Sequence, residues 1–254
     1  MTDRLVIVPT YNEKENILLM IDAVMALTPA FDLLIIDDGS PDGTADLVRQ
    51  AQAKPDYQGR VHLEERTGKL GLGTAYLHGF RWGLDRHYQY IFEMDCDFSH
   101  NPKDLPKLWD ACANQGADMA IGSRYVQGVN VVNWPMGRVL MSYFASKYVK
   151  FITGLPVNDA TAGFKCYSRA VLETLSQEKI KFIGYAFQIE MKFLTWKYGF
   201  KITEVPIIFT DRTRGTSKMS MGIFKEAVLG VVAMKIASFF KSYHRKLATD
   251  QAVG

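Results

Sequence analysis

Short runs of β-branched and apolar residues alternate with longer stretches of helical periodicity through nearly the whole chain. Strand-like runs fall at 5–8, 33–36, 61–64, 90–93, 119–122, 164–167 and 203–210. Between them, residues 13–27, 43–54, 74–86, 102–114, 136–152, 168–177 and 185–198 carry apolar side chains at helical spacing. This alternation predicts an α/β fold, a doubly wound, mostly parallel sheet flanked by helices. Such sheets bind ligands beyond the carboxyl ends of their strands, so the residues that follow each run carry the functional information.

The bulk properties remove several function classes. A chain of 254 residues, 48% hydrophobic, can bury a sizeable core as one large domain or one domain with an appendage. A net charge of +3 implies no strong global attraction to nucleic acid. Cys96, Cys112 and Cys166 form no CxxC pair and read as free thiols. Asp3 and Arg4 precede the first strand, a start unlike a signal peptide. His62, His78, His87, His100 and His244 show no metal-ligand spacing, and no Gly-x-Ser-x-Gly elbow is present, which argues against a nucleophilic hydrolase.

Three polar turns follow strand-like runs: Pro9-Thr10-Tyr11-Asn12, Asp37-Asp38-Gly39-Ser40 and Asp95-Cys96-Asp97. The expected fold brings them to one crevice. Strand neighbours alternate faces, so Asp95 and Asp97 would point the same way. Two carboxylates completed by substrate phosphates commonly hold Mg2+ or Mn2+, and such an ion neutralises charge on a leaving diphosphate. The alternative is a solvated acidic turn that caps the helix after Pro102. A carboxylate at a strand end, such as Asp38, can accept hydrogen bonds from ribose hydroxyls or a base N–H. Asp42 can cap the following helix, and Glu13 can serve as a first-turn carboxylate.

The glycine-rich stretch Gly68-Lys69-Leu70-Gly71-Leu72-Gly73-Thr74 matches neither the phosphate loop nor the dinucleotide fingerprint. It reads equally as a flexible loop near phosphate or as a helix lead-in. Arg124, Arg138, Arg212, Arg214 and Lys218 form a basic set. Arg138 and Ser142 lie four apart on an expected helix, so they share a face that could grip a phosphate. The loop around Arg212 and Lys218 could close over phosphates or be a solvated basic loop.

Two helical stretches are unusual. Residues 134–152 mix aromatics with Arg138, Lys147 and Lys150, a composition suited to a membrane interface. Residues 222–240 are apolar almost all round, with Lys225, Glu226 and Lys235 as their charges. Such a helix is buried, paired or in lipid, and the charges argue against a full span. It is expected to be peripheral, docked on a partner, or packed on the domain's own core.

The motifs Val8-Pro9-Thr10-Tyr11-Asn12-Glu13, Ile36-Asp37-Asp38-Gly39-Ser40, Asp95-Cys96-Asp97-Phe98-Ser99-His100, Gly122-Ser123-Arg124-Tyr125 and Arg212 with Ser217-Lys218 occur in this order. Jointly they resemble the polyprenol (dolichol) phosphate mannosyltransferase family, inverting glycosyltransferases with the GT-A (Rossmann-like) fold. The resemblance runs from residue 5 to residue 220. It implies transfer of mannose from GDP-mannose to a polyprenyl phosphate, by an enzyme bound peripherally at the cytoplasmic face of a membrane. A UDP-sugar donor carrying glucose or an amino sugar is the alternative that keeps the same fold.

The resemblance also implies roles. Pro9, Tyr11, Glu13, Ile36, Asp38, Met94, Asp95, Cys96, Asp97, Arg124, Arg212 and Lys218 would bind the donor. Asp95 and Asp97 would hold Mg2+ or Mn2+, and Asp97 and Arg212 would be catalytic. Arg124, Arg138 and Ser142 would meet the acceptor phosphate. Cys96 stands where the family usually has alanine, and Ser99 where some relatives have glutamine. Residues 1–219 would form the catalytic domain and 220–254 a helix and tail that associate with a membrane or partner. Small membrane subunits or a second copy are the expected protein partners, and nucleic acid is not expected. An acceptor phosphate with a second pKa of about 6 is largely ionised at neutral pH. It needs little from a general base, so positioning and charge neutralisation remain as the protein's task.

Overall fold

The computed structural model describes residues 2–211 and 221–244. Its strands are β1 (Arg4–Thr10), β2 (Asp32–Asp37), β3 (Val61–Glu65), β4 (Tyr90–Glu93), β5 (Met119–Ser123), β6 (Val131–Val132), β7 (Lys165–Ser168), β8 (Ile202–Pro206) and β9 (Phe209–Thr210). Its helices are α1 (Ile17–Met25), α2 (Thr44–Gln52), α3 (Leu72–Asp85), α4 (Leu105–Ala113), α5 (Met136–Thr153), α6 (Arg169–Leu175), α7 (Tyr185–Lys197) and α8 (Met221–Ala237). The main sheet has the order β3-β2-β1-β4-β7-β5-β8. All its pairings are parallel except those of β7, which runs antiparallel to both β4 and β5.

Alternation along β1 explains the two-sided core. Leu5 and Ile7 face α3, α6 and α7, whereas Val6 and Val8 face α1, α2 and α4. β2 divides in the same way, with Leu34 and Ile36 on one face and Leu33 and Ile35 on the other. Every residue of β2 is buried, as expected for a central strand covered on both sides. Glycines let α3 approach the sheet closely: a Cβ on Gly79 would lie 2.8 Å from Ile7, and one on Gly83 2.8 Å from Ile91. Each fully buried Leu or Ile in these layers contributes about 1.5–3 kcal/mol.

Two expectations need correction. The run 203–210 is not one strand: it breaks after Pro206, and β9 leaves the main sheet to pair with β6. Proline removes a ladder donor, which favours an ending there. The first helix begins at Ile17 rather than Glu13, because the backbone from 11 to 16 is used in a turn.

The two unusual stretches are helices and touch each other. Tyr148 Oη donates to the Val228 carbonyl at 3.0 Å, and Lys235 Nζ to that of Thr153 at 3.2 Å. Val231, Met234 and Ser238 bury one face of α8. Phe182 sits so close to Gly230 that a Cβ there would be 2.7 Å away. The other face is exposed through Leu229, Val232 and Ile236, continued by Phe239 and Phe240. Met136, Leu140, Met141, Phe144 and Phe151 are exposed on α5. Core packing and an outward apolar face therefore coexist on α8. Among the described residues no helix is long and apolar enough to cross a membrane.

Candidate active site

β1, β2 and β4 are adjacent and parallel, so their carboxyl ends open on one edge. The Asp38 N–H donates to the Thr10 carbonyl at 3.0 Å and the Met94 N–H to that of Ile7 at 3.2 Å. These bonds bring the three polar turns together.

The two neighbouring aspartates of the second turn have different duties. Asp37 accepts from Thr10 Oγ1 at 2.8 Å, Ser40 N–H at 2.8 Å and Ser40 Oγ at 2.6 Å. It builds the turn, with Gly39 supplying a positive φ of 69°. Asp42 accepts from the N–H of Thr44 and of Lys14, both at 3.0 Å. It thereby caps α2 and ties the first turn to the second. Glu13 joins this knot, donating its N–H to Thr44 Oγ1 at 3.0 Å and accepting from Asn16 Nδ2 at 2.9 Å.

Asp38 instead meets the glycine-rich stretch. Its Oδ1 accepts from Arg66 Nε at 2.7 Å and lies 2.6 Å from Nη2, while Oδ2 accepts from the Leu70 N–H at 3.3 Å. Arg66 Nη1 also donates to Thr74 Oγ1 at 2.9 Å. Gly68 and Gly71 take positive φ, and a Cβ on Gly73 would be 2.9 Å from the Phe187 ring. The stretch thus folds back over Asp38, and Lys69 Nζ stands 5.3 Å over the Tyr11 ring. Pro9 is half-buried in this wall. The Ile36 side chain is in the core, so that residue offers a ligand only its backbone.

The Asp95–Asp97 turn leaves β4 abruptly. Phe98 sits in the left-handed region with φ 59°, a conformation that costs a non-glycine residue on the order of 1 kcal/mol and persists where the surroundings enforce it. Asp97 is buried, and its Oδ1 accepts from the Ser99 N–H at 3.0 Å and from Ser99 Oγ. Asp95 is more exposed and accepts from Tyr76 Oη at 3.4 Å. His100 Nδ1 lies 3.9 Å from Asp95 Oδ2. His100 is enclosed between Phe164 and Phe209, and burial pushes its pKa down to about 4 against the pull of Asp97. It is therefore neutral at pH 7. Met94 and Cys96 point into the core, leaving their backbone at the crevice. Burial pushes the Cys96 thiol well up, so it stays protonated.

The donor set suits a hard divalent cation. Among the described residues no three His, Cys, Asp or Glu side chains gather to cage a metal. The carboxylate pair Asp95 and Asp97 matches an ion that takes its remaining oxygens from substrate phosphates.

Arg124 lies beyond the turn, linked to it through the Phe209 ring, 5.3 Å from His100 and 5.5 Å from the Arg124 guanidinium. Arg124 is almost fully buried. Its Nε donates to Asp159 Oδ2 at 2.7 Å, and its Nη2 to Asp159 Oδ1 at 2.6 Å and Thr161 Oγ1 at 2.8 Å. Arg138 Nη1 is 3.0 Å from Asp211 Oδ1. Both guanidiniums face the Trp134 ring, Arg124 at 5.5 Å and Arg138 at 4.1 Å from its centre. Ser142 Oγ and Trp134 Nε1 are buried and meet no hydrogen-bond partner among the described residues. Arg212, Arg214 and Lys218 lie outside the described residues.

Sequence reasoning missed Arg66, Tyr76 and Asp159. Arg66 had a signal, a charge at the end of a strand beside a glycine-rich turn. Tyr76 and Asp159 had none, since their partners are 19 and 35 positions away.

Residues 5–176 match the family model of glycosyl transferase family 2. A polyprenol monophosphomannose synthase of Mycolicibacterium smegmatis is 48% identical over 228 residues, covering 89% of this chain and 84% of that protein. An undecaprenyl-phosphate mannosyltransferase of Micrococcus luteus is 42% identical, covering 96% and 98%. Among solved structures, a glucosyl-3-phosphoglycerate synthase from Mycobacterium tuberculosis in complex with Mn2+, UDP and glucosyl-3-phosphoglycerate superposes with a TM-score of 0.64 at 16% identity, covering 92% of this chain and 79% of that one. A mannosyltransferase from Pyrobaculum calidifontis in complex with GDP-Man and Mn2+ gives 0.52 at 16%, covering 99% and 76%. At such identities the shared feature is the fold, which is GT-A-like.

Proposed function

The chain belongs to glycosyl transferase family 2, and from that premise we propose that it transfers mannose from GDP-mannose to a polyprenyl phosphate with inversion. One observation supports this most. A single crevice has a nucleotide end at Tyr11 and Asp38, a carboxylate pair at Asp95 and Asp97, and two arginines over Trp134 beyond the pair. The names of the two relatives, a polyprenol monophosphomannose synthase and an undecaprenyl-phosphate mannosyltransferase, agree with transfer of mannose to a polyprenyl phosphate.

In this reading Pro9, Tyr11, Glu13, Ile36 and Asp38 receive the nucleoside, with Met94 and Cys96 contributing backbone. Asp95 and Asp97 would hold Mg2+ or Mn2+, and the ion when bound would supply charge stabilisation to the departing diphosphate. Arg212 and Lys218 neutralise the same group. Arg124, Arg138 and Ser142 take the acceptor phosphate. The buried Ser142 hydroxyl supports that assignment, because unpaired buried polar groups are uncommon without a ligand. The acceptor oxygen is already ionised, so it attacks the anomeric carbon directly while the carbon–oxygen bond to the diphosphate breaks on the opposite side. The protein aligns the two anions, which would otherwise repel.

The outward apolar residues of α5 and α8, with Lys147 and Lys150 also exposed on α5, support peripheral attachment to a membrane, and we assign it to the cytoplasmic face. Residues 1–219 then act as the catalytic domain, and the segment 220–254, which contains α8, helps to seat it. The test is transfer of labelled sugar to a short polyprenyl phosphate in detergent, comparing GDP-mannose, UDP-glucose and UDP-N-acetylglucosamine. Transfer from GDP-mannose with a β-linked product supports the reading. Transfer from a UDP-sugar instead replaces the donor, and a retained configuration removes the in-line mechanism.

A further inference from the structure

The segment from 158 to 163 joins two parts of the crevice that are far apart in sequence. Asp159 and Thr161 grip the Arg124 guanidinium, and Asp159 Oδ2 also accepts from the Arg124 N–H at 3.0 Å. At its other end, a Cβ on Gly163 would lie 3.7 Å from His100 and 4.0 Å from Asp95 Oδ2. Position and orientation of Arg124 relative to the carboxylate pair therefore depend on how this short segment is held.

Two buried or half-buried side chains from separate elements, Glu204 and Lys192, hold it. Glu204 on β8 accepts four hydrogen bonds. Its Oε2 receives the Asn158 N–H at 2.8 Å and Asn158 Nδ2 at 2.9 Å, and its Oε1 receives the Asp159 N–H at 2.9 Å and Ser123 Oγ at 2.7 Å. Ser123 immediately precedes Arg124, so one carboxylate ties both sides of the Arg124–Asp159 pair. Lys192 on α7 is fully buried, and its Nζ donates to the carbonyls of Ala160 at 3.1 Å, Ala162 at 2.6 Å and Gln188 at 3.1 Å. An Nζ that donates to three carbonyls fixes a turn that has no ladder of its own. A guanidinium gripped through Nε and Nη2 has its whole plane fixed, because its five N–H donors form a rigid fork.

We propose that Glu204 and Lys192 are positioning residues: they clamp segment 158–163 so that Asp159 aims Arg124 at the acceptor phosphate. This rests on the function proposed above. Neither residue touches substrate, so both act through Arg124 and leave the nucleotide end alone.

A double-mutant cycle tests it, with farnesyl phosphate as the acceptor probe and GDP with Mn2+ as the donor probe. Glu204→Gln should weaken acceptor binding and raise acceptor KM about tenfold in the parent, but by less than about twofold when Arg124→Ala is already present, because the two act as one unit. Lys192→Met should behave alike. Affinity for GDP with Mn2+ should stay within about twofold of the parent in the Glu204→Gln and Lys192→Met single variants. Asn158→Ala, at a half-buried position, removes one Glu204 bond without threatening folding and should show the same pattern at smaller size. Equal losses with and without Arg124, or a parallel fall in GDP affinity, would overturn the proposal and leave the clamp as general scaffolding. A parent protein that binds GDP but neither binds farnesyl phosphate nor transfers sugar to it would sink the functional reading itself, and this inference with it.

Discussion

The two ends of the crevice, which we assign to the donor and to the acceptor, are built by different physics. The donor end rests on parallel strand ends joined by backbone bonds and by short carboxylate contacts within a few residues, such as Asp37 with Ser40 and Asp42 with Thr44. The acceptor end depends on long-range pairs, Arg124 with Asp159 and Arg138 with Asp211, and on a helix whose outer side is apolar and exposed. At the first end turns that close locally are then tied to one another, as Asp42 is to Lys14, whereas the second end rests on pairs between distant parts of the chain. Errors at the first should destroy the reaction, whereas errors at the second should mistune one substrate.

Asp97→Asn offers the sharpest contrast. The amide oxygen can still accept from Ser99, so the turn should survive while the charge disappears. Transfer should fall by about a thousandfold or more, since loss of one preorganised electrostatic group costs several kcal/mol. Thermal unfolding should move little. Retention of most activity would remove the carboxylate pair from the mechanism.

Below the donor end lies a second group of charges. Lys165 Nζ is 3.0 Å from Glu93 Oε2, which also accepts from Gln188 Nε2 at 2.9 Å, and Tyr167 Oη donates to Glu93 Oε1 at 2.6 Å. Glu93 and Lys165 are cross-strand neighbours in β4 and β7, and both are fully buried. Burial lowers the Lys165 pKa, and Glu93 opposes that effect. Lys165→Met would leave Glu93 without its counter-charge and should cost about 3–5 kcal/mol of stability in a denaturant titration. A change below about 1 kcal/mol would show that the pair is near break-even.

Arg138→Ala probes the acceptor end. It removes a guanidinium that lies over Trp134 and pairs with Asp211. Acceptor KM should rise about tenfold, as expected for one charge-assisted contact, with affinity for GDP unchanged. Equal loss of both would merge the two ends into one cooperative site.

The same contrast explains what was legible in the sequence. Alternating periods fixed the sheet and its two-sided core, because Leu5, Val6, Ile7 and Val8 can segregate only one way in a strand. The donor turns were legible where their bonds close within a few residues, as Asp37 with Ser40 and Asp42 with Thr44, but not in their ties to Thr10, Lys14 and Arg66. The antiparallel direction of β7 was not, since nothing in Lys165-Cys166-Tyr167-Ser168 encodes strand direction. Asp159 was hidden for a similar reason: it stands in an irregular segment, and its partner Arg124 follows β5, 35 positions away. The glycine-rich stretch was visible but ambiguous, and its contact with Asp38 through Arg66 became clear only from the fold.

The apolar face gives the smallest effect and the most discriminating one. Phe151 on α5 and Phe240 beyond α8 are 87% and 88% exposed, values that waste two large rings unless something covers them. Each ring is worth about 1.5–3 kcal/mol when fully buried, and less at a lipid interface. Phe151→Ser with Phe240→Ser should therefore weaken sedimentation with anionic lipid vesicles by about tenfold. Neither residue takes part in the crevice, so transfer to a short, detergent-dispersed acceptor should be unaffected. Transfer to a long polyprenyl phosphate in vesicles should fall in step with binding. If vesicle binding persists in the double variant, the face belongs to a protein partner, and the acceptor end is seated by contacts other than these two helices.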